Sequence, residues 1–167
     1  NEKSYLADCI DSNFVSSAGT KVDEFERLVA SFTGANNAIA VVNGTNALQI
    51  ALLIAGVSEE HEVVTQALTF VATCNAISYV GADPVFIDVD KDTLGMSPVS
   101  LRQFLEVHAV KKEGLTLNKL SGKQIKACLP MHTFGLLCRI KEIADICKEW
   151  NIALVEDAAE SLGSLFE

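Results

Sequence analysis

Apolar and polar positions follow two rhythms along this chain. Val22, Phe25, Leu28, Val29 and Phe32 fall at helical spacing, so residues 22–32 read as an amphipathic helix. Thr33-Gly34 closes it, with Gly34 placed to take the left-handed conformation after the last turn. Residues 3–12 read as another helix, and the small-residue stretch "NFVSSAG" separates the two. After that, short apolar runs alternate with helical segments. The runs are 39–42, 62–65, "PVFIDVD", "IKACLPM" and "IALVED"; the helices are 47–55, 71–80, 98–110 and 140–150. Strands interleaved with helices predict an α/β structure, a mostly parallel sheet flanked by helices. The polar segment 111–123 reads as a surface excursion.

In open α/β sheets ligands bind beyond the carboxyl ends of the strands. The residues after each run are therefore the ones to inspect: Asn43-Gly44-Thr45, the 66–70 loop, Asp88 and Asp90, His132, and Glu156-Asp157. In "VVNGTNALQIALL", Leu48, Ala51, Leu52 and Ala55 share a helical face, which makes the segment a strand–turn–helix. Gly44 permits close backbone approach, and Thr45 or Asn46 is placed to cap the helix. Free amides at such an N-terminus suit a phosphate. An ordinary capped helix without ligand explains the same pattern, and turn signals of this kind are common. No Gly-Lys-Ser/Thr follows and there is no GxGxxG, so a Walker loop is excluded. An NAD-dependent nucleotide-sugar enzyme would lack its glycine fingerprint.

Phe70 precedes a helix, where an aromatic either stacks on a planar ring or, more commonly, serves as a hydrophobic staple or core residue. His132 reads as a base, a substrate donor or a packed, hydrogen-bonded histidine. His61, His108 and His132 have no metal-ligand spacing, so no metal is expected. Asp157 with Glu160 three residues on matches a capping box. The same Asp157 could face a cationic ring nitrogen, which an adjacent carboxylate keeps protonated. The stretch leaves both readings open.

Composition narrows the classes. The chain has 167 residues, the size of one domain, and its 49% hydrophobic content supplies a core. No stretch reaches the roughly eighteen apolar residues of a membrane span, and residues 47–57, the most apolar, read as a core helix. The opening Asn-Glu-Lys is unlike a signal peptide. A net charge of −9 argues against an extended nucleic-acid surface. Five cysteines, scattered and without CxxC, fit a reduced, cytoplasmic protein.

Taken in order, "NFVSSAG…VDEFE", "VVNGTNALQIAL", "ALTFVATCNAISYVGADPVFIDVD", "LPMHTFG" and "LVEDAAESLGS" resemble the DegT/DnrJ/EryC1/StrS family. Those are aminotransferases dependent on pyridoxal 5′-phosphate (PLP) that act on nucleotide sugars and have the aspartate aminotransferase fold, PLP fold type I. The resemblance implies that Gly44, Thr45 and Asn46 hold the cofactor phosphate, Phe70 stacks on its ring and Asp157 pairs with the ring nitrogen. The resemblance also implies that Glu160 is near the ring, where relatives often have Gln or His, and that Ser16, Ser17 and Ala18 are near the sugar. "DTLGMSP", the insertion before "IKA" and "LPMHTFG" are similar to the subgroup making 4-amino sugars for legionaminic-acid-type nonulosonates. That implies a UDP-linked 4-keto-6-deoxy-N-acetylhexosamine as substrate, glutamate as amino donor, a place in cell-surface polysaccharide biosynthesis, and a homodimer. The family's Schiff-base lysine follows the "EDAAESLGS" segment within Ser-x-x-x-x-Lys, and no lysine here has that context; Lys141 and Lys148 lie on an outward helix. Residues 1–167 are thus expected to form part of a PLP-binding large domain, without the catalytic lysine or the small C-terminal domain. A non-catalytic PLP- or sugar-binding regulatory homologue is the alternative.

Overall fold

The computed structural model describes residues 1–16 and 19–165. It divides into two compact units, Asn1–Val41 and Val42–Glu167. The first contains α1 (Glu2–Asp11) and α2 (Thr20–Thr33). Gly34 ends α2 at φ 74°, the left-handed turn its position predicts. The apolar stripe of α2 stays exposed at Phe25, Leu28 and Phe32, and neither helix buries a side chain. Within this unit the Ala40 amide donates to the Glu26 carboxylate at 2.7 Å.

The second unit opens with α3 (Gly44–Ile54), followed by β1 (His61–Gln66), α4 (Val71–Tyr79), β2 (Asp83–Ile87) and α5 (Pro98–His108). The hairpin β3 (Ala109–Lys112) and β4 (Leu115–Asn118) comes next, then β5 (Gln124–Leu129), α6 (Ile140–Trp150) and β6 (Ala153–Leu154). The sheet runs β2-β1-β5-β4-β3, and β6 pairs with the far end of β5. Strands β2, β1, β5 and β6 are parallel; β4 and β3 are antiparallel. The mostly parallel α/β reading of the sequence is the observed architecture.

Both faces of the sheet are covered, as a parallel sheet requires. Val63, Ala127 and Leu129 point to the side where Leu48 and Leu52 of α3 and Ala76 and Ile77 of α4 pack. Val64, Ile125 and Cys128 point to the side of Leu101, Leu105, Ile143, Ile146 and Trp150 from α5 and α6. Ile125 and Cys128 share a face although three residues apart. The pairing shifts between Glu62↔Ile125 and Val63↔Ala127, so Lys126 is an extra residue in β5 and reverses the alternation. Among the described residues, no helix is long and apolar enough to cross a membrane.

Two expectations are corrected. The run 39–42 forms no strand: it has no paired neighbour among the described residues, and Ile39 and Val42 are exposed. An apolar run becomes a strand only where a second edge completes its hydrogen bonds. The helix expected over 98–110 stops at His108, and 111–123 is no loose excursion. Glu113 and Gly114 both have positive φ, 53° and 81°, the geometry of a tight hairpin turn that folds β3 onto β4 and extends the sheet.

Candidate functional site

The carboxyl ends of β1, β5 and β6 and the N-termini of α3 and α4 meet at a cleft of about 280 Å³ lined by Gly44, Thr45, Phe70, Met131, Asp157 and Glu160, with Leu48, Ala72 and Ala159. Five of the six residues expected to hold a cofactor are in that lining; Asn46 is not, and its backbone amide is taken up by the cap of α3. Ser16 belongs to the first unit, and Ser17 and Ala18 lie outside the described residues.

Asn43, not Thr45 or Asn46, caps α3. It is extended (φ −164°, ψ 170°), and its Oδ1 accepts from the Asn46 amide at 2.9 Å. The Ala47 amide bonds to the Asn43 carbonyl. The Gly44 and Thr45 amides precede any intrahelical partner and stand at the positive end of the helix dipole. A Cβ built on Gly44 would meet nothing within 4 Å, so the approach to these amides is open. Phe70, with its side chain exposed, is the N-cap of α4 and lines the same cleft.

Asp157 is 5% exposed. Beyond β6 the chain keeps pairing with the end of β5: the Asp157 amide donates to the Pro130 carbonyl at 2.9 Å, and the His132 amide donates to the Asp157 carbonyl at 3.1 Å. Thr73 donates to Asp157 Oδ2 at 2.7 Å, and the Ala159 amide donates to Oδ1 at 3.2 Å. No capping box forms, because Glu160 does not turn back to the Asp157 amide. Its Oε2 accepts from the Phe134 amide at 2.7 Å, across the sheet end. Phe134 opens a sharp turn at φ 55°, and Gly135 follows at φ 78° with the Glu160 carbonyl 2.9 Å from where a Cβ would stand. Glu160 therefore lines the cleft and pins this turn.

Thr73 escaped the sequence reading, and Gln66, within the 66–70 loop singled out there, was given no role. Gln66, the fully buried last residue of β1, uses its whole amide. Nε2 donates to the Leu68 carbonyl and Thr133 Oγ1, and Oε1 accepts from the Met96 and Met131 amides, all at 2.8–3.0 Å. It ties together the loops that follow β1, β2 and β5. The available signal was an amide side chain at the carboxyl end of a strand whose Val63 and Val64 face opposite covered sides of the sheet.

The remaining candidates are structural. Arg139 pairs with Asp90, and with Asp92 at 2.6 Å, anchoring the loop after β2 to α6. Asp88 Oδ1 accepts from the next amide. His132 is 3% exposed, and Nε2 lies 3.2 Å from Glu156 Oε2. Nδ1 lies 3.3 Å from both the amide nitrogen and the sulfur of Cys138: the neutral ring accepts from the amide, and the protonated ring donates to the sulfur. The sulfur and then the carboxylate push His132 up from 6.5 to about 9. The folded value is the raised one, so this stabilisation is complete below pH 6.5 and is lost as pH rises through about 9. Unfolding midpoints should fall over that window in the wild type and much less in His132→Gln; equal profiles would contradict a charged His132.

The structure overlays on a DegT DnrJ EryC1 StrS aminotransferase from Brucella abortus with a TM-score of 0.85 at 30% identity, covering 96% of this chain and 40% of that one. It overlays on NtdA from Bacillus subtilis, solved with bound cofactor PMP, with a TM-score of 0.74 at 25% identity, covering 87% and 30%. The fold is that of the PLP-dependent aminotransferases of fold type I. The chain belongs to the DegT/DnrJ/EryC1/StrS aminotransferase family, which it matches over residues 1–167. It is 34% identical over 166 residues to GDP-perosamine synthase of Caulobacter vibrioides, covering 99% of this chain and 40% of the relative. The chain spans about two fifths of the length of the curated relatives it matches.

Proposed function

We propose that the protein carrying this chain is a PLP-dependent aminotransferase that transfers the amino group of glutamate to a nucleotide-linked keto-sugar. The observation that carries this is the convergence of Gly44, Thr45, Phe70 and Asp157, from separate segments of the chain, on one cleft. The residues fit the group. Two open amides at a helix N-terminus suit a phosphate, an aromatic side chain suits a ring face, and a buried carboxylate suits a protonated pyridine nitrogen.

Bound there, PLP supplies an electron sink for chemistry at a carbon bonded to nitrogen. The α3 N-terminus orients it by its phosphate. Phe70 would stack on the ring and shield that face from water. Asp157, held by Thr73 and the Ala159 amide, keeps a proton on the ring nitrogen. Among the described residues no lysine lines the cleft, and Lys141 and Lys148 are exposed on α6. The reading therefore takes its proton-shuttling base from the lysine that the family resemblance assigns to a Ser-x-x-x-x-Lys stretch outside these 167 residues.

In the same proposal residues 1–167 are part of the PLP-binding large domain, Ser16 and Ser17 take part in binding the sugar, and the enzyme works as a homodimer. The narrower substrate, a UDP-linked 4-keto-6-deoxy-N-acetylhexosamine, rests on the "DTLGMSP" and "LPMHTFG" likeness. Relatives such as GDP-perosamine synthase support the wider class of nucleotide-linked sugars. The test is the donor half-reaction. The full-length protein loaded with PLP and given glutamate without sugar should release one 2-oxoglutarate per cofactor. Bound PLP with no 2-oxoglutarate would favour the non-catalytic binding or regulatory reading.

A further inference from the structure

The strand end that presents Asp157 is short of contacts that define its register. Strand β6 proper is only Ala153–Leu154, paired with Ala127 and Cys128. Residues 155–157 continue along 128–132 through isolated bonds, with Met131 beside Asp157. Side chains alternate between the two faces of such a ladder. Met131 and Asp157 project toward α4. Met131 Sδ lies 3.3 Å from the Phe70 amide nitrogen and 3.4 Å from Thr69 Oγ1, and Asp157 meets Thr73. The neighbours, His132 and Glu156, meet each other at 3.2 Å, and His132 also meets Cys138, a member of the core cluster on the α5 and α6 side.

"Glu156-Asp157" therefore offers two carboxylates to opposite faces. A slip of one residue would bring Glu156 to the cleft and carry Asp157 away. Hydrophobic pattern does little to forbid it, because both positions are acidic. We propose that the His132–Glu156 pair is a positioning device that locks this register from behind the sheet and so decides which carboxylate faces the cofactor. Cys138 holds the ring from its other nitrogen and lies flush against Gly95, where an added Cβ would come within 2.6 Å of Cys138 Cβ. The ring is therefore fixed at both ends, and it can hold Glu156 in place.

The inference rests on the proposed role of Asp157. Its test uses the full-length protein with PLP as the probe. Binding is measured by absorbance titration, and the pH midpoint of the bound cofactor's visible band is recorded for wild type, Asp157→Asn, Glu156→Ala, His132→Leu and His132→Gln. Glu156→Ala and His132→Leu should each weaken PLP binding about tenfold, the scale of one hydrogen bond to a charged group. They should also shift the band midpoint in the direction of Asp157→Asn, which a purely structural loss would not do. His132→Gln, which restores a donor toward Glu156, should recover most of both. Wild-type affinity and spectrum in Glu156→Ala and in a folded His132→Leu, with Asp157→Asn impaired, would overturn the clamp and leave the role of Asp157 standing. Should His132→Leu fail to fold, Glu156→Ala decides alone, since Glu156 is exposed. Absence of PLP binding by the wild type would overturn both.

Discussion

Gln66→Leu is expected to lower the stability of the protein by at least about 2 kcal/mol, read as a fall in the urea unfolding midpoint. Leucine matches the volume but satisfies none of the four partners. The Met96 and Met131 amides would each remain buried without an acceptor, while the Leu68 carbonyl, on an exposed residue, can turn to water. Each buried, unsatisfied group costs about 1–3 kcal/mol, whereas removing both partners of a bond together costs little. The apolar gain of the leucine cannot offset two such amides. The same variant should loosen the cleft, since Met131 lines it and Thr133 leads into the turn held by Glu160. A change of less than about 1 kcal/mol would mean that those loops find other partners.

Asp157→Asn is expected to reduce transamination by the full-length protein about 10²–10³-fold, the range seen when one electrostatic contact to developing charge is removed. The substitution isolates charge from shape. Asparagine still accepts from the Ala159 amide, and the Thr73 hydroxyl can rotate to accept from its amide group. Loss of activity with little change in unfolding midpoint is therefore the expected result. Thr73→Val should move in the same direction by less, because the carboxylate keeps its charge but loses the donor that aims it. An Asp157→Asn enzyme with full activity would remove the central electrostatic step.

The cleft was legible where function and local pattern coincide. Gly44, Thr45, Phe70 and Asp157 all stand just past an apolar run or at a helix start, so a rule about strand ends finds them. Ile140–Trp150 was legible to the residue because its apolar face is strictly periodic. Long-range choices were not legible. Thr73 sits in a helix, and its bond to Asp157 spans 84 residues of sequence. The β3–β4 hairpin inverts the usual pattern: Thr116 and Asn118 are the buried residues, bonded to the Trp150 carbonyl and to Glu62, while Leu115 is exposed. A polar strand of that kind reads as a loop. In Asn43-Gly44-Thr45-Asn46 the cap was sought at Thr45 or Asn46, and only the extended backbone and side-chain bond of Asn43 show that it serves instead. Glu160 kept the spacing of a capping box but found its partner in another turn.

The most direct measurement is the ¹⁵N NMR shift of ring-labelled PLP bound to the full-length protein. A protonated ring nitrogen is expected in the wild type at neutral pH and an unprotonated one in Asp157→Asn. An unprotonated nitrogen in the wild type, or the same protonated signal in both, would contradict the pairing of Asp157 with the cofactor.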